Sequence, residues 1–121
     1  MKENIVKEKS YTFALRIVKL VQIITAEQKE FVLSKQLLKS GTAIGALIRE
    51  AEHGQSRADF VSKMNIALKE ANETDYWLSL LKDSGYITPE WYDSISKDAK
   101  ELVKLLASIV KTIKTDKTKK S

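Results

Sequence analysis

The chain has 121 residues, no cysteine and a formal net charge of +5. This length suits one domain with its own core, and the lack of cysteine excludes disulfides, thiolate nucleophiles and sulfur-ligated zinc. No apolar segment approaches the roughly 20 residues of a membrane span, and residues 1–9 lack the apolar region of a secretory signal, so we expect a cytoplasmic protein that does not enter a membrane.

Helices are predicted throughout, because four glycines and one proline are few and the other common residues favour helix. The first helix is predicted from Asn4 or Ser10 to about Ala26. Its apolar residues recur at spacings of three and four, which is typical of one buried helical face. Tyr11, Leu15 and Val18 lie off this stripe. They predict a second contact surface on the same helix.

A second helix is predicted from Phe31 to Ala51, after the polar break at residues 27–29. We expect Gly54 to end it by adopting the left-handed conformation that closes many helices. Gly41 and Gly45 lie inside this helix, where each glycine costs about 1 kcal/mol relative to alanine. They therefore predict a close approach of a neighbouring helix backbone.

The third and fourth helices carry clear start and stop signals. Ser56 is predicted to cap the third helix, with Asp59 at the position of a capping-box acid. Residues 83–85 (Asp-Ser-Gly) form its stop. Thr88 followed by Pro89 predicts the start of the fourth helix, because proline is well tolerated at a first helical position.

The fold class predicted by these four segments is all-α, an antiparallel up-down-up-down four-helix bundle, because short connections force sequence neighbours to run in opposite directions. We assign residues 1–114 to the bundle and residues 115–121 to a lysine-rich, disordered tail. Most of the net charge lies near this tail, since residues 111–121 carry +4 of the +5. Contact of this region with nucleic acid is one hypothesis and simple solubilising charge is the other. The lysines concerned are Lys111, Lys114, Lys117, Lys119 and Lys120.

A di-iron centre is the cofactor that four-helix bundles often hold, through two Glu-x-x-His motifs and two further glutamates. Residues 50–53 (Glu-Ala-Glu-His) supply one such motif. His53 is the one histidine of the chain, so a second motif is missing. We interpret His53 as a surface residue near a helix C-terminus, where a cation suits the helix dipole, and predict no metal or cofactor.

Glu70 and Glu73 form a carboxylate pair one helical turn apart, which is compatible with acid/base chemistry or with a solvated helix face. No serine is paired with a base, and no glycine-rich phosphate loop is present. We therefore predict that the protein is not an enzyme and has no small-molecule substrate. Tyr76 and Trp77 are interpreted as packing residues, with a subunit interface or base stacking as the alternatives.

Several segments together resemble a bacterial four-helix bundle family, named for proteins encoded in intervening sequences of large-subunit ribosomal RNA genes. The resemblance extends from Ser10 to about Ile109. The segments that carry it are residues 10–14 (SYTFA), 36–46 (QLLKSGTAIGA), 48–51 (IREA), Ser56 with 59–60 (DF), 66–71 (IALKEA), and 73–74 with 76–78 (ET and YWL).

This resemblance implies a bundle that assembles into a ring-like pentamer, with no established reaction. It also implies kinship with the accessory protein of diversity-generating retroelements, which works with nucleic acid. Leu47 departs from the family pattern, because similar sequences have asparagine there. We predict a homo-oligomeric scaffold, with an RNA- or DNA-binding accessory protein as the alternative. The residues predicted to form polar pairs or assembly contacts are Arg49, Glu50, Lys69, Glu70, Glu73, Tyr76 and Trp77.

Overall fold

The computed structural model describes the backbone of residues 2–120 and the side chains of residues 4–113. Within this range the chain is all-α, as predicted, and contains no strand. No helix within it combines the length and apolar character needed to cross a membrane. The helices are α1 (Lys2–Gln28), α2 (Val32–Glu52), α3 (Arg57–Asp83) and α4 (Pro89–Lys120).

Each helix packs against its two neighbours around the bundle, and among the described residues no Cα atoms of diagonally opposite helices come within 8 Å of each other. The cross-section is therefore four-cornered, with one helix at each corner. Residues late in one helix meet residues early in the next, so neighbouring helices are antiparallel. The pairs that set this register are Lys7–Glu52 between α1 and α2, Ser40–Thr74 and Glu50–Lys63 between α2 and α3, Asp75–Ser96 and Ser79–Tyr92 between α3 and α4, and Lys9–Glu101 and Arg16–Asp98 between α1 and α4.

The core is built from large apolar side chains that every helix contributes, which accounts for the packing of four amphipathic elements into one unit. The largest fully buried ones are Phe13, Ile17, Leu20, Ile24, Leu37, Ile44, Met64, Leu78, Leu81, Ile95, Leu102 and Leu106. The prediction of a tail at residues 115–121 concerns side chains outside the described residues and stays a prediction.

The seam between α1 and α2 is closely packed at Gly41 and Gly45, which agrees with the interpretation of the two glycines. A Cβ atom at Gly41 would lie 2.9 Å from Cγ2 of Ile17, and one at Gly45 would lie 3.3 Å from Oγ of Ser10. Both neighbours are buried. Side chains larger than hydrogen would therefore separate α1 from α2.

The predicted helix starts at Ser56 and Thr88 are confirmed. The Ser56 hydroxyl accepts a hydrogen bond from the Asp59 N–H at 3.0 Å. The Thr88 hydroxyl accepts one from the Trp91 N–H at 3.1 Å. Each bond satisfies a backbone donor that has no partner inside its helix.

The predicted stop of α3 is confirmed as well. Gly85 has a φ of +84°, in the left-handed region. The Tyr86 N–H then donates to the Leu81 carbonyl at 2.8 Å, which is the long hydrogen bond of a Schellman motif.

The prediction for Gly54 is wrong in its mechanism. Among the described glycines only Gly85 has a positive φ, and the C-terminal cap of α2 is His53 with a φ of −102°. A Cβ atom at Gly54 would lie 2.9 Å from Oδ2 of Asp59 and 3.1 Å from the Ala51 carbonyl oxygen. Glycine is favoured here by crowding between the end of α2 and the start of α3, not by backbone conformation.

The start of α2 carries a cap that the sequence analysis did not identify. The Glu30 carboxylate accepts hydrogen bonds from three backbone N–H groups, those of Val32, Leu33 and Ser34, at 2.8 to 3.0 Å. Burial alone would raise the pKa of Glu30, but these hydrogen bonds outweigh burial and lower it. Glu30 thus places a buried negative charge at the positive end of α2.

Candidate assembly surface

The outer side of the α1/α2 pair is the more apolar of two exposed faces described here. Tyr11 and Leu15 are 53% and 54% exposed. They lie one turn apart, and the half-buried Val18 continues the row by another turn, so the residues off the buried stripe of α1 form a continuous strip, whose role as a second contact surface stays a prediction. We call it the α1/α2 face and define it by Tyr11, Ala14, Leu15 and Val18 of α1 together with Leu38, Thr42, Ala46 and Arg49 of α2.

Arg49 provides a positive charge on the α1/α2 face. Its guanidinium carbon lies 5.5 Å from the centroid of the Tyr11 ring, a distance at which a cation is attracted to an aromatic face. Among the described residues, none forms a hydrogen bond or ion pair with the Arg49 side chain. The N–H donors of the exposed Arg49 guanidinium therefore lie beside the apolar strip of α1.

The neighbouring side of the bundle forms a second face. The contacts Ser40–Thr74 and Glu50–Lys63 join α2 to α3 at two levels, and the residues between these levels line the seam. We call this surface the α2/α3 face. It is defined by Ala43 and Leu47 of α2 and by Ile66, Glu70 and Glu73 of α3.

Ile66 is 42% exposed on the α2/α3 face. The sequence analysis did not select it, although it lies off the buried stripe of α3 in the same way as Tyr11 lies off that of α1. Leu47 is half-buried against the core. At the position where the resemblance led us to expect asparagine, this protein therefore makes an apolar contact.

The acidic pair of the α2/α3 face is not neutralised by its own helix. Burial raises the pKa of Glu70 and the nearby charge of Glu73 raises it further, whereas Lys69 and Lys39 act in the opposite direction without reversing the effect. Among the described residues no ion pair joins Lys69 to either carboxylate. Glu70 and Glu73 thus lie near two lysines without forming an ion pair with Lys69.

Glu50 is paired within the chain, unlike the other carboxylates of the predicted set. It accepts a hydrogen bond from the Lys63 ammonium at 3.1 Å, so its charge is balanced across the α2–α3 seam. Tyr76 and Trp77 contact each other edge to face at 5.2 Å between ring centroids. Trp77 packs against the core, while Tyr76 is 57% exposed.

A shallow depression of about 860 Å³ follows the outer side of α3. It collects several of the predicted residues, but it contains no nucleophile paired with a base. Its lining consists of Gln36 from α2 and Asn65, Leu68, Lys69, Asn72, Glu73, Tyr76 and Trp77 from α3.

Of the residues considered for metal or nucleic-acid binding, His53 and Lys111 have described side chains. His53 is exposed at the end of α2. Among the described residues, no group of three or more His, Asp or Glu side chains is placed to hold a metal ion. Lys111 is exposed on α4. The remaining lysines of the predicted nucleic-acid contact lie outside the described side chains: Lys114, Lys117, Lys119 and Lys120.

Comparison with known proteins confirms the family that the sequence resembles. The family model described as 23S rRNA-intervening sequence protein matches residues 2–108. Among solved structures, the chain is similar to a protein with unknown function from the S23 ribosomal protein family of Bacteroides thetaiotaomicron VPI-5482, with 64% identity, a TM-score of 0.90, and coverage of 92% of this chain and 99% of that chain. No curated protein matches the chain. Because the family match spans nearly the whole bundle, the chain belongs to the 23S rRNA-intervening sequence protein family.

Proposed function

We propose that the protein is a non-enzymatic, self-assembling scaffold. The observation that carries the proposal is the α1/α2 face, where Tyr11 and Leu15 remain about half exposed beside further apolar side chains. Burying a large apolar side chain is worth about 1.5 to 3 kcal/mol, so a row of them favours association over exposure. A second copy of the chain is the partner that is always available at equal concentration.

The non-enzymatic part of the proposal rests on the arrangement of reactive side chains in residues 4–113. His53 is exposed at a helix end, away from the acidic pair on α3. Glu70 and Glu73 have no partner base or nucleophile beside them within that range. Such a set is suited to pairing with charges on another protein surface rather than to proton transfer.

Five copies are the favoured number, because the resemblance to this family implies a ring-like pentamer. A ring requires the same contact to be repeated between successive copies until it closes. Exposed apolar residues on two sides of the bundle, Leu15 on one and Ile66 on the other, are compatible with this requirement.

The test is the absolute mass in solution, by light scattering or native mass spectrometry at micromolar concentration. We expect several times the 13.7 kDa of one chain. Leu15→Lys should lower the mass, because it introduces a charge into the apolar strip. Ile5→Lys is the matched control, since Ile5 is also an exposed apolar residue of α1 but lies beside Asp98 and Glu101 of α4. A wild-type protein that stays monomeric would contradict the proposal.

Nucleic-acid binding is the second candidate function, favoured by the concentration of +4 of the net +5 in residues 111–121. Lysines that neutralise phosphates release counterions, so binding should weaken steeply with salt. The variant with Lys114, Lys117, Lys119 and Lys120 replaced by glutamine keeps the chain length. Fluorescence anisotropy with a generic RNA over a salt series should show weaker binding and a shallower salt slope for this variant. Equal binding and equal slopes would overturn this mechanism.

A further inference from the structure

The outward side of α4 carries a row of lysines within the folded bundle. Lys97, Lys100, Lys104 and Lys111 recur at spacings of three, four and seven residues, which places them on one side of the helix. All four are exposed, whereas the opposite side of α4 is buried in the core. We call these four residues the α4 row. At 1.5 Å per residue the row is about 21 Å long and leads directly into the lysine-rich end of the chain.

The acids of α4 that flank the row on the α1 side are balanced by cations of α1. Asp98 is bound to Arg16 at 2.6 Å, and Glu101 is bound to Lys9 at 3.2 Å. Glu8 of α1 lines the same groove and is the one carboxylate there beyond these two pairs. Both acids of α4 thus belong to the α1–α4 seam and leave the lysines of the row without an acidic partner from that side.

Two further acids lie near the start of the row. Asp75 of α3 is hydrogen-bonded within the α3–α4 seam. Asp93 precedes Lys97 by one turn and offsets the charge of that lysine in part. Lys100 is seven residues beyond Asp93, or about 10 Å along the helix, which is about the distance over which salt at 0.1 M screens a charge. The excess of positive charge therefore begins at Lys100 and continues toward residues 111–121.

The surroundings of the row narrow the class of anionic partner. Large exposed apolar side chains lie on α1, on α3 and at the start of α2, and the described part of α4 has none. A helix that binds a lipid surface inserts an apolar face, but α4 has its apolar face in the core. Single-stranded nucleic acid is bound by stacking bases on aromatic rings, and the aromatic residues of α4, Trp91 and Tyr92, are half-buried before the row begins. A duplex carries its phosphates on the outside and requires neither feature.

We propose that the outward side of α4 binds the phosphate backbone of double-stranded nucleic acid, with Lys100 and Lys104 as its central contacts. Among the described residues neither side chain forms an ion pair, so both ammonium groups face solvent. The proposal rests on the nucleic-acid binding given above as the second candidate function and places its site on the bundle as well as in the terminal residues. Contacts to phosphate carry no base information, so the binding is independent of sequence.

The test is fluorescence anisotropy of a short labelled RNA duplex over a salt series. Lys100→Gln/Lys104→Gln should lower the slope of log affinity against log salt by about 1.8 and weaken binding in about 0.1 M salt at least about tenfold. Lys35→Gln/Lys39→Gln is the matched control, because it removes two exposed lysines at the same spacing from α2, the helix diagonally opposite α4. It should leave the affinity and the slope nearly unchanged. Circular dichroism of every variant checks that the helices are retained.

The outcomes separate this site from the function on which it rests. A wild-type protein that does not bind the duplex would overturn nucleic-acid binding itself. Binding that is weakened in the glutamine variant of residues 114–120 but not in Lys100→Gln/Lys104→Gln would overturn the α4 site alone, as would an equal loss in the α2 control. One strand of the duplex and vesicles of phosphatidylserine and phosphatidylcholine are the other probes. Tighter binding to either would overturn the assignment of a duplex as the partner.

Discussion

Helix α1 is held by two different kinds of contact on its two sides. Against α2 its middle packs closely through uncharged groups, where a Cβ atom at Gly41 would come within 2.9 Å of Ile17, and the Lys7–Glu52 ion pair lies only near its start. Against α4 it is held by longer polar side chains, among them Arg16 bound to Asp98 and to Ser94. The first side is specified by shape and the second by charge.

This difference decides how each side responds to substitution. The α1–α2 seam is buried, so an added methyl group forces packed atoms to move, at a cost of about 1 to 3 kcal/mol. The Arg16 and Asp98 side chains are 33% and 42% exposed to solvent. Water and salt screen such pairs, and most contribute at most about 1 kcal/mol. We therefore expect the largest stability effects at the α2 side of α1.

The largest effect is expected for Gly41→Ala. The new Cβ would overlap Ile17 at a cost of about 3 kcal/mol, and alanine regains about 1 kcal/mol of helix propensity, which leaves a net loss of about 2 kcal/mol. In an Ile17→Ala background the two nearest obstructing atoms, Cγ2 and Cγ1, are absent, and the Cβ of residue 17 at 3.3 Å remains. There the remaining crowding and the gain in helix propensity should nearly cancel, so the net loss of about 2 kcal/mol should disappear. Urea denaturation of the four proteins at one fixed concentration measures both values.

Gly45→Ala is the control for this cycle. Its Cβ would lie 3.3 Å from a single hydroxyl oxygen, so crowding and the gain in helix propensity should nearly cancel. Equal losses for Gly41→Ala in both backgrounds would show that helix flexibility, not contact with Ile17, determines the requirement for glycine.

The sequence was informative wherever a local rule determines the structure. Caps depend on residues within one turn, which is why Ser56, Thr88 and Gly85 were predicted correctly. The role of Gly41 was also predictable, because glycine inside a helix has a cost that packing usually explains. The role of Gly54 was predicted wrongly, because glycine occurs both at crowded positions and at turn positions with a positive φ.

Contacts between distant residues were not predictable in this way. Arg16 and Asp98 are 82 positions apart, and nothing in the sequence pairs one surface charge with another across that distance. The same holds for the assembly surface: Tyr11 was selected as an off-stripe residue, but its place beneath Arg49 depends on the register of α1 on α2. That register is set by close packing at Gly41, which sequence periodicity does not measure.

The ion pairs between α1 and α4 are expected to contribute little to stability, either because they are charged or because they are exposed. Glu30 separates these two explanations, since its charge is buried. Glu30 caps α2 from a buried position, so Glu30→Gln should cost about 1.5 kcal/mol, because it removes the charge and replaces one accepting carboxylate oxygen with an NH2 group. The folded protein holds the pKa of Glu30 below its ordinary value. The stabilisation is therefore complete above the unfolded pKa and is lost as the pH falls through the folded pKa, so wild type and variant should converge as the pH falls below the ordinary glutamate pKa of about 4.3. Denaturation curves across this pH range give the measurement.

Glu27→Gln serves as the comparison for Glu30, because Glu27 is exposed near the end of α1. Its effect should stay within about 0.5 kcal/mol. If the difference between wild type and Glu30→Gln were constant with pH, the ionised carboxylate would not be the group that stabilises α2.

A smaller effect on stability is expected for the hydrogen bonds that Arg16 donates across the α1–α4 seam. Arg16 donates to Asp98 at 2.6 Å and to the Ser94 hydroxyl at 2.9 Å. Arg16→Met keeps the apolar part of the side chain and should cost about 1 kcal/mol. A double-mutant cycle with Asp98→Asn isolates the pair. A coupling energy as large as the loss at Gly41 would show that both sides of α1 depend equally on specific contacts.

The smallest effect is expected for the outer ion pair of the same seam. The Lys9 ammonium lies 3.2 Å from Glu101, and both side chains are about half exposed. Holding two long side chains together costs entropy that offsets most of the Coulomb attraction, so Lys9→Met should change stability by less than about 0.5 kcal/mol. Any loss should fall further in about 1 M salt, where the screening length shrinks to about 3 Å. Thermal unfolding of Lys9→Met and wild type in low and high salt measures this effect. A larger loss of stability that persists in high salt would show that Lys9 stabilises α1 by packing rather than by its charge.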